Sequence, residues 1–252
     1  VVLQTKILNY HFLWTENLER YKMKRLIILL LFIPFLSQSQ IEGKQHNQLI
    51  LRGATLINST GAPPIGPVDI VIEKNIITKV QNVGYPGVPI NENRRPKLSK
   101  NGVAINCEGS YILPGFIDTH GHIGGRSQGA SPDYVFKLWM AHGITTIREP
   151  GGSLSHELKL ELKNKSEKNT IVAPRIIAFS TFNSRVQSPD EAKEWVRDNA
   201  KKGSDGIKFF GAPPEIMQAA IKENKRLGLR STSHHAQLNV VRWNVLNSAR
   251  AG

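Results

Sequence analysis

Two histidines, His120 and His122, stand one residue apart after the apolar segment that begins at Ile112. Side chains at positions i and i+2 of a β-strand point to the same face, so a strand would present both imidazoles together. Imidazole is a good ligand for Zn²⁺ and for related divalent cations. Two polar residues in a turn would look the same, so the pair indicates a metal site only if other segments supply further ligands.

A lysine, Lys208, interrupts the otherwise apolar strand-like segment 206–210. Burial of an ammonium group is costly unless the charge is paired or removed. One explanation is that the side chain extends to the rim of the fold and keeps its charge in water. The other is chemical modification, because a desolvated lysine has a lowered pKa and can take up CO2. The resulting carbamate is an anionic ligand that can bridge two divalent cations.

Two adjacent histidines, His234 and His235, end the strand-like segment 229–235. They would point to opposite faces of that strand. One of them could simply bond to the backbone, which leaves the other as a candidate ligand. The pattern does not say which of the two it is.

The spacing of these residues favours a common site. Lys208 follows His122 by 86 residues (208 − 122), and His234 follows Lys208 by 26 (234 − 208). A βαβ repeat takes roughly 30 residues, so the intervals correspond to three units and one unit. The candidates therefore fall at strands numbered about 1, 4 and 5, at the carboxyl edge where barrel enzymes place their chemistry.

Strands and helices alternate from about residue 131 onward, which predicts a parallel α/β architecture. Two of the predicted helices begin with the same Ser-Pro-Asp signal, with N-caps at Ser131 and Ser188. Glu191 is placed as the capping-box partner of Ser188. A (β/α)8 barrel and an open doubly wound sheet both fit this alternation of about five units.

The preceding segment, 48–112, predicts short β-strands. Apolar and polar residues alternate in 69–73 and in 76–80, and Lys74-Asn75 predicts a turn between them. Residues 84–102 are polar and rich in Pro and Gly, which predicts a long exposed loop.

Composition narrows the kinds of site. The chain has 252 residues and a single cysteine, which excludes an internal disulfide framework and a cysteine-rich zinc site. The formal net charge is +13. We interpret this charge as lysines on solvated faces, namely Lys159, Lys163, Lys165 and Lys168. A nucleic-acid partner is not expected, because no basic stripe is interleaved with aromatic residues.

The chain begins with Val1, but Met23 opens a typical secretory signal peptide. Lys24 and Arg25 form its positive region, and residues 26–36 form an apolar core that is too short to span a bilayer. We therefore predict an exported protein, periplasmic or secreted, without a stable membrane anchor.

Four segments together resemble the metal-dependent amidohydrolase superfamily, most closely its imidazolonepropionase-like and prolidase-like branch. The resemblance covers about residues 48–252. The segments are PGFIDTHGH, GITTIREPGG, DGIKFFG and LRSTSHHA.

The resemblance implies a (β/α)8 barrel next to a small β-sandwich, and two divalent cations, Zn²⁺ in many relatives, bridged by a carboxylated lysine. By this resemblance His120 and His122 would bind the first metal, Lys208 would carry the bridging carbamate, and His234 would bind the second. Relatives have a His-small-His pattern at the last position, so His235 stays an alternative to His234.

The implied activity is hydrolysis of a carbon–nitrogen bond, in an amide, a cyclic amide or a dipeptide-like small molecule. The alternatives are an ester or lactone hydrolase of the same superfamily and a secreted non-catalytic binding protein on a decayed barrel. The full-length protein could also form an oligomer, which the sequence does not decide.

We expect a leader and signal peptide over residues 1–39, the N-terminal part of the β-sandwich over 40–112, and the first half of the barrel over 113–252. The family adds a His after strand six and a catalytic Asp after strand eight. We expect both beyond Gly252, and we expect the 252-residue chain alone to be inactive.

Overall fold

A computed structural model of the chain describes residues 46–152, 154–182, 185–235 and 243–252. The predicted signal peptide lies outside these residues and stays a prediction. No helix in the described ranges is long and apolar enough to cross a bilayer.

The first sheet is mixed and has five strands in the order β3-β2-β1-β4, with β5 also paired to β1. β1, β2 and β3 are antiparallel neighbours, whereas β4 and β5 run parallel to β1. The predicted turn at Lys74-Asn75 is confirmed, and Lys74 adopts a positive φ of 58° there. The predicted loop over 84–102 contains one short 3-10 turn, Glu92–Arg94. The strands are β1 Gln48–Leu56, β2 Ile65–Glu73, β3 Ile76–Asn82, β4 Val103–Asn106 and β5 Tyr111–Ile112.

The second sheet has five strands in the order β10-β9-β8-β7-β6, and every neighbouring pair is parallel. Consecutive strands are adjacent, and the sheet curls into half of a (β/α)8 barrel. This order confirms the barrel and excludes the doubly wound sheet, in which the strand order reverses. The strands are β6 Phe116–Asp118, β7 Ile144–Glu149, β8 Arg175–Thr181, β9 Gly206–Phe209 and β10 Arg230–Ser233.

Helices connect these strands, and their starts follow the predicted caps. The Ser131 hydroxyl accepts a hydrogen bond from the backbone of Tyr134, and the Ser188 hydroxyl accepts one from Glu191. The Glu191 carboxylate, however, accepts from the backbone N–H of Gln187 and not from that of Ser188, so the capping box is displaced by one residue. The helices are α1 Pro132–Ala141, α2 His156–Glu167, α3 Pro189–Lys201, α4 Pro214–Arg226 and α5 Val245–Ala251.

Apolar side chains fill the layer between the curled sheet and its helices. One cluster packs β9 against α3 and α4, and it includes Ile207, Val196 and Ile221. The other packs β7 and β8 against α1, through Ile147 and Phe136. These contacts fix the strand ends from which the candidate residues project.

One lysine that the sequence assigned to a solvated face is buried. Lys159 on α2 is 2% exposed, and its ammonium donates a 2.8 Å hydrogen bond to the carbonyl of Phe179 on β8. The expectation for Lys159 was wrong because a long side chain on an inward-facing helix position can reach a free carbonyl of the sheet beneath it.

Candidate metal centre

His120 and His122 lie in the loop directly after β6, not within a strand as expected. Gly121 between them still donates to the carbonyl of Arg148, so this loop stays attached to β7. The Asp118 carboxylate accepts from the backbone N–H of His120 at 2.8 Å. The two imidazole rings are 5.7 Å apart and nearly perpendicular, at 89°. The pair therefore lies at the carboxyl edge of the barrel with both rings close together.

Glu149, at the end of β7, holds the ring of His122. Its Oε1 lies 3.1 Å from Nδ1 of His122, and its side chain is 1% exposed. The carboxylate also accepts from the backbone N–H groups of Ile123, Gly151 and Gly152. Sequence analysis did not select Glu149. The available signal was a charged residue ending a β-branched strand directly before Pro-Gly-Gly.

Lys208 lies on β9, between Ile207 and Phe209. It is 4% exposed, and its ammonium lies 5.3 Å from the centre of the Phe210 ring. Among the described residues no carboxylate contacts it. Burial lowers the pKa of Lys208, and the positive charge of Arg148 lowers it further. These surroundings raise the share of the neutral amine, which is the form that reacts with CO2.

Charged side chains on three strands act on His120, namely Asp118 on β6, Arg148 on β7 and Lys208 on β9. Partial desolvation lowers the pKa of His120, and the neighbouring Lys208 and His122 lower it further. A metal ligand must be the neutral imidazole, so this electrostatic environment suits ligation. Lys208 is thus close enough to His120 for its charge to act on the imidazole, although the two residues are far apart in sequence.

The two adjacent histidines, His234 and His235, have different contacts. Nε2 of His235 lies 2.9 Å from the hydroxyl of Ser248 on α5, and Trp243 donates to the same hydroxyl. His234 is exposed, and its ring lies 5.5 Å from that of Phe210. The ring nitrogens of His234 have no hydrogen-bond partner in the described part of the chain, whereas Nε2 of His235 is committed to Ser248.

Arg148 on β7 is a further residue that sequence analysis did not select. Its guanidinium carbon lies 5.5 Å from the centre of the Phe179 ring. Its Nε is buried and has no hydrogen-bond partner in the described ranges. It adds positive charge beside Lys208, where a carbamate would be anionic.

These residues meet several requirements of a divalent metal centre. They provide a histidine pair, a third histidine, and a buried lysine that has no counter-ion among the described residues. No group of three or more His, Cys, Asp or Glu side chains lies close enough together to hold a metal in the ranges given above. The three candidate histidines therefore do not form one such group, and the only anionic ligand among the candidates would be Lys208 after modification.

Structural comparison finds the same fold in several hydrolases. A prolidase complexed with N-methylphosphonate-L-proline has a TM-score of 0.61 and 16% identity, over 81% of this chain and 59% of that one. A Bifidobacterium longum protein assigned as a prolidase gives 0.62 and 21%, over 83% and 53%. A Xaa-Pro dipeptidase with methionine bound in its active site gives 0.56 and 20%, over 81% and 60%.

These neighbours agree with the predicted resemblance, and at such identities they establish the fold. The chain spans between 53% and 60% of the length of these three structures. Comparisons with protein-family models and with curated proteins returned no match.

Proposed function

We propose that the chain belongs to a metal-dependent hydrolase that cleaves a carbon–nitrogen bond in a small amide or dipeptide-like substrate. The observation that carries this proposal is Lys208, a buried lysine without a carboxylate partner in the described residues, beside His120 and His122. The fold supports it, because neighbours with this fold include a prolidase and a Xaa-Pro dipeptidase.

Each candidate residue has a distinct part in this function. His120 and His122 would hold one cation, and His234 would hold a second. Lys208 would bridge them as its carbamate, which forms when the neutral amine attacks CO2 and releases a proton to solvent. A bound divalent cation supplies Lewis acidity, which polarises a carbonyl and eases the ionisation of water.

Two further side chains lie around the candidate centre, those of Phe210 and Arg148. Phe210 lies beside both Lys208 and His234, and its ring covers one side of the lysine ammonium. Arg148 offers a positive charge near Lys208, which would stabilise an anionic carbamate. These contacts favour the modified form of the lysine over the ammonium.

Replacement of Lys208 tests the proposal. Lys208→Ala should lose most bound zinc, measured by metal analysis, and should lose the carbamate signal that the native protein shows with ¹³C-labelled bicarbonate. Short carboxylic acids, supplied without bicarbonate, should restore part of the metal binding by replacing the carbamate.

Lys163→Met is the control, because the Lys163 ammonium is partly buried and pairs with Asp205 away from the candidate centre. This variant should keep its metal even if it melts earlier. Full metal content in Lys208→Ala would contradict the bridging role, and turnover of esters but not amides would favour the lactone or ester alternative.

A further inference from the structure

We infer that Glu149 is the positioning residue of this centre: it fixes the ring orientation and the tautomer of His122, so that Nε2 is the atom presented to a metal. The inference rests on the proposed metal centre. It assigns the ligand atom of His122 and the residue that selects it.

The tautomer follows from hydrogen-bond chemistry. A carboxylate can only accept hydrogen bonds, and Oε1 of Glu149 lies 3.1 Å from Nδ1 of His122. Nδ1 must therefore carry the proton in that contact. A neutral imidazole has one N–H, so Nε2 keeps its lone pair and is available to a cation.

The carboxylate is itself held in place, which makes it a rigid support. Ile123 donates to Oε2 at 2.9 Å, and Gly151 donates to Oε1 at 2.9 Å. Gly152 donates to the same Oε1. These charge-assisted bonds join the loop after β6 to the loop after β7 and restrict the rotation of the Glu149 side chain.

The loop after β7 can approach this closely because it contains two glycines. A Cβ on Gly152 would lie 3.0 Å from Nδ1 of His122 and 3.1 Å from Oε1 of Glu149. Gly151 adopts a φ of 112°, which side chains rarely allow. The glycine pair thus preserves the contact between the carboxylate and the imidazole.

His120 has no comparable support. Its ring has no hydrogen-bond partner in the described residues, although its backbone N–H bonds to Asp118. One ring of the pair is oriented in advance and the other is not. Preorganisation of His122 alone would let it bind first, with His120 completing the pair.

The direct test measures the tautomer of His122 in the native protein without metal. Two-bond ¹⁵N–¹H correlation spectra at alkaline pH, assigned with His122→Asn, should show the Nδ1–H tautomer. A dominant Nε2–H tautomer would overturn the inference, and the tautomer itself is measured in the native protein.

Variants then measure the effect on metal affinity by competition with a chromogenic zinc chelator. Glu149→Gln removes the charge and turns one acceptor oxygen into a donor, so zinc affinity should fall by about 10- to 100-fold. Glu149→Asp keeps the charge but is one methylene shorter, and it should recover part of that loss.

Asp205→Asn is the matched control. Asp205 is also a carboxylate that accepts a backbone N–H, from Ala178, and it pairs with Lys163 away from the centre. Its substitution should leave zinc affinity within about twofold. Unchanged affinity and tautomer in a folded Glu149→Gln variant would show that Glu149 only joins the two loops. A native protein that binds no zinc would instead contradict the proposed function and leave the tautomer measurement valid.

Discussion

At the scale of single residues, two buried lysines differ in what their ammonium groups contact. Lys159 is 2% exposed, and Lys208 is 4% exposed. Burial lowers the pKa of both side chains. The ammonium of Lys159 donates to a carbonyl, whereas that of Lys208 contacts only an aromatic face in the described residues. Lys159 is therefore satisfied as an ordinary donor, and Lys208 is the one suited to modification.

Substitution of the two adjacent histidines separates ligation from folding. His234→Ala should lose the second metal and change the melting temperature little, because the described structure gives its ring no hydrogen bond. His235→Ala should keep its metal and lose about 1 kcal/mol of stability, since it removes the bond to Ser248. Metal analysis and thermal melts of both variants check this. The reverse pattern would make His235 the ligand.

At the scale of elements, α3 and α4 are joined by a carboxylate. Glu223 on α4 accepts from Arg226 one turn later and from Arg197 on α3, both at 2.6 Å. The hydrogen bond from Arg226 is the main cause that lowers the pKa of Glu223 to about 2, and Arg197 adds to it. The two helices are thereby fixed against each other on the outer face of the barrel.

This lowered pKa predicts a pH-dependent contribution to stability. The folded state binds this proton less tightly than the unfolded state, so Glu223 stabilises the fold above about pH 4.5, and this contribution is lost as the pH falls towards 2. Glu223→Gln should cost about 1 kcal/mol at pH 7 and close to nothing near pH 2. Urea melts across this range measure the difference.

Glu194→Gln is the control for that series, because Glu194 is exposed on α3 and makes no ion pair among the described residues. Its stability difference from the native protein should stay small and independent of pH. An equal effect in both variants would indicate a general charge effect and not the bridge between α3 and α4.

At the scale of the whole molecule, the described half-barrel has two open edges. β6 pairs only with β7, and β10 pairs only with β9, within the described ranges. On β6 the side chains of Phe116 and Ile117 are 59% and 63% exposed. An unpaired strand edge with apolar side chains is a template for association with another chain.

We therefore expect this 252-residue chain to self-associate through β6. Ile117→Lys should shift the population towards monomer at a given concentration, because a charge on the edge opposes strand pairing. Val245→Lys is the control, since Val245 is 61% exposed but lies on a helix. Sedimentation velocity over a tenfold concentration range compares the self-association of the two variants with that of the unsubstituted chain. Equal self-association in both variants would place the contact elsewhere.

The sequence alone determined the features that depend on local order. Neighbouring residues are enough to predict the alternation of strands and helices. They also predict the caps at Ser131 and Ser188 and the turn at Lys74-Asn75. Local signals act within a few residues, so they can be read directly. The spacing from His122 to Lys208 also predicted that both residues lie at the carboxyl ends of barrel strands, because the repeat length is nearly constant.

Only the tertiary structure decided which partners these residues find. The contact between His122 and Glu149 joins the loop after β6 to the end of β7 across 27 residues, and no local pattern encodes it. The bond from His235 to Ser248 depends on where α5 packs, and the burial of Lys159 depends on a carbonyl 20 residues away. Such contacts arise from the register of non-adjacent segments, which is set when the sheet curls and the helices pack against it.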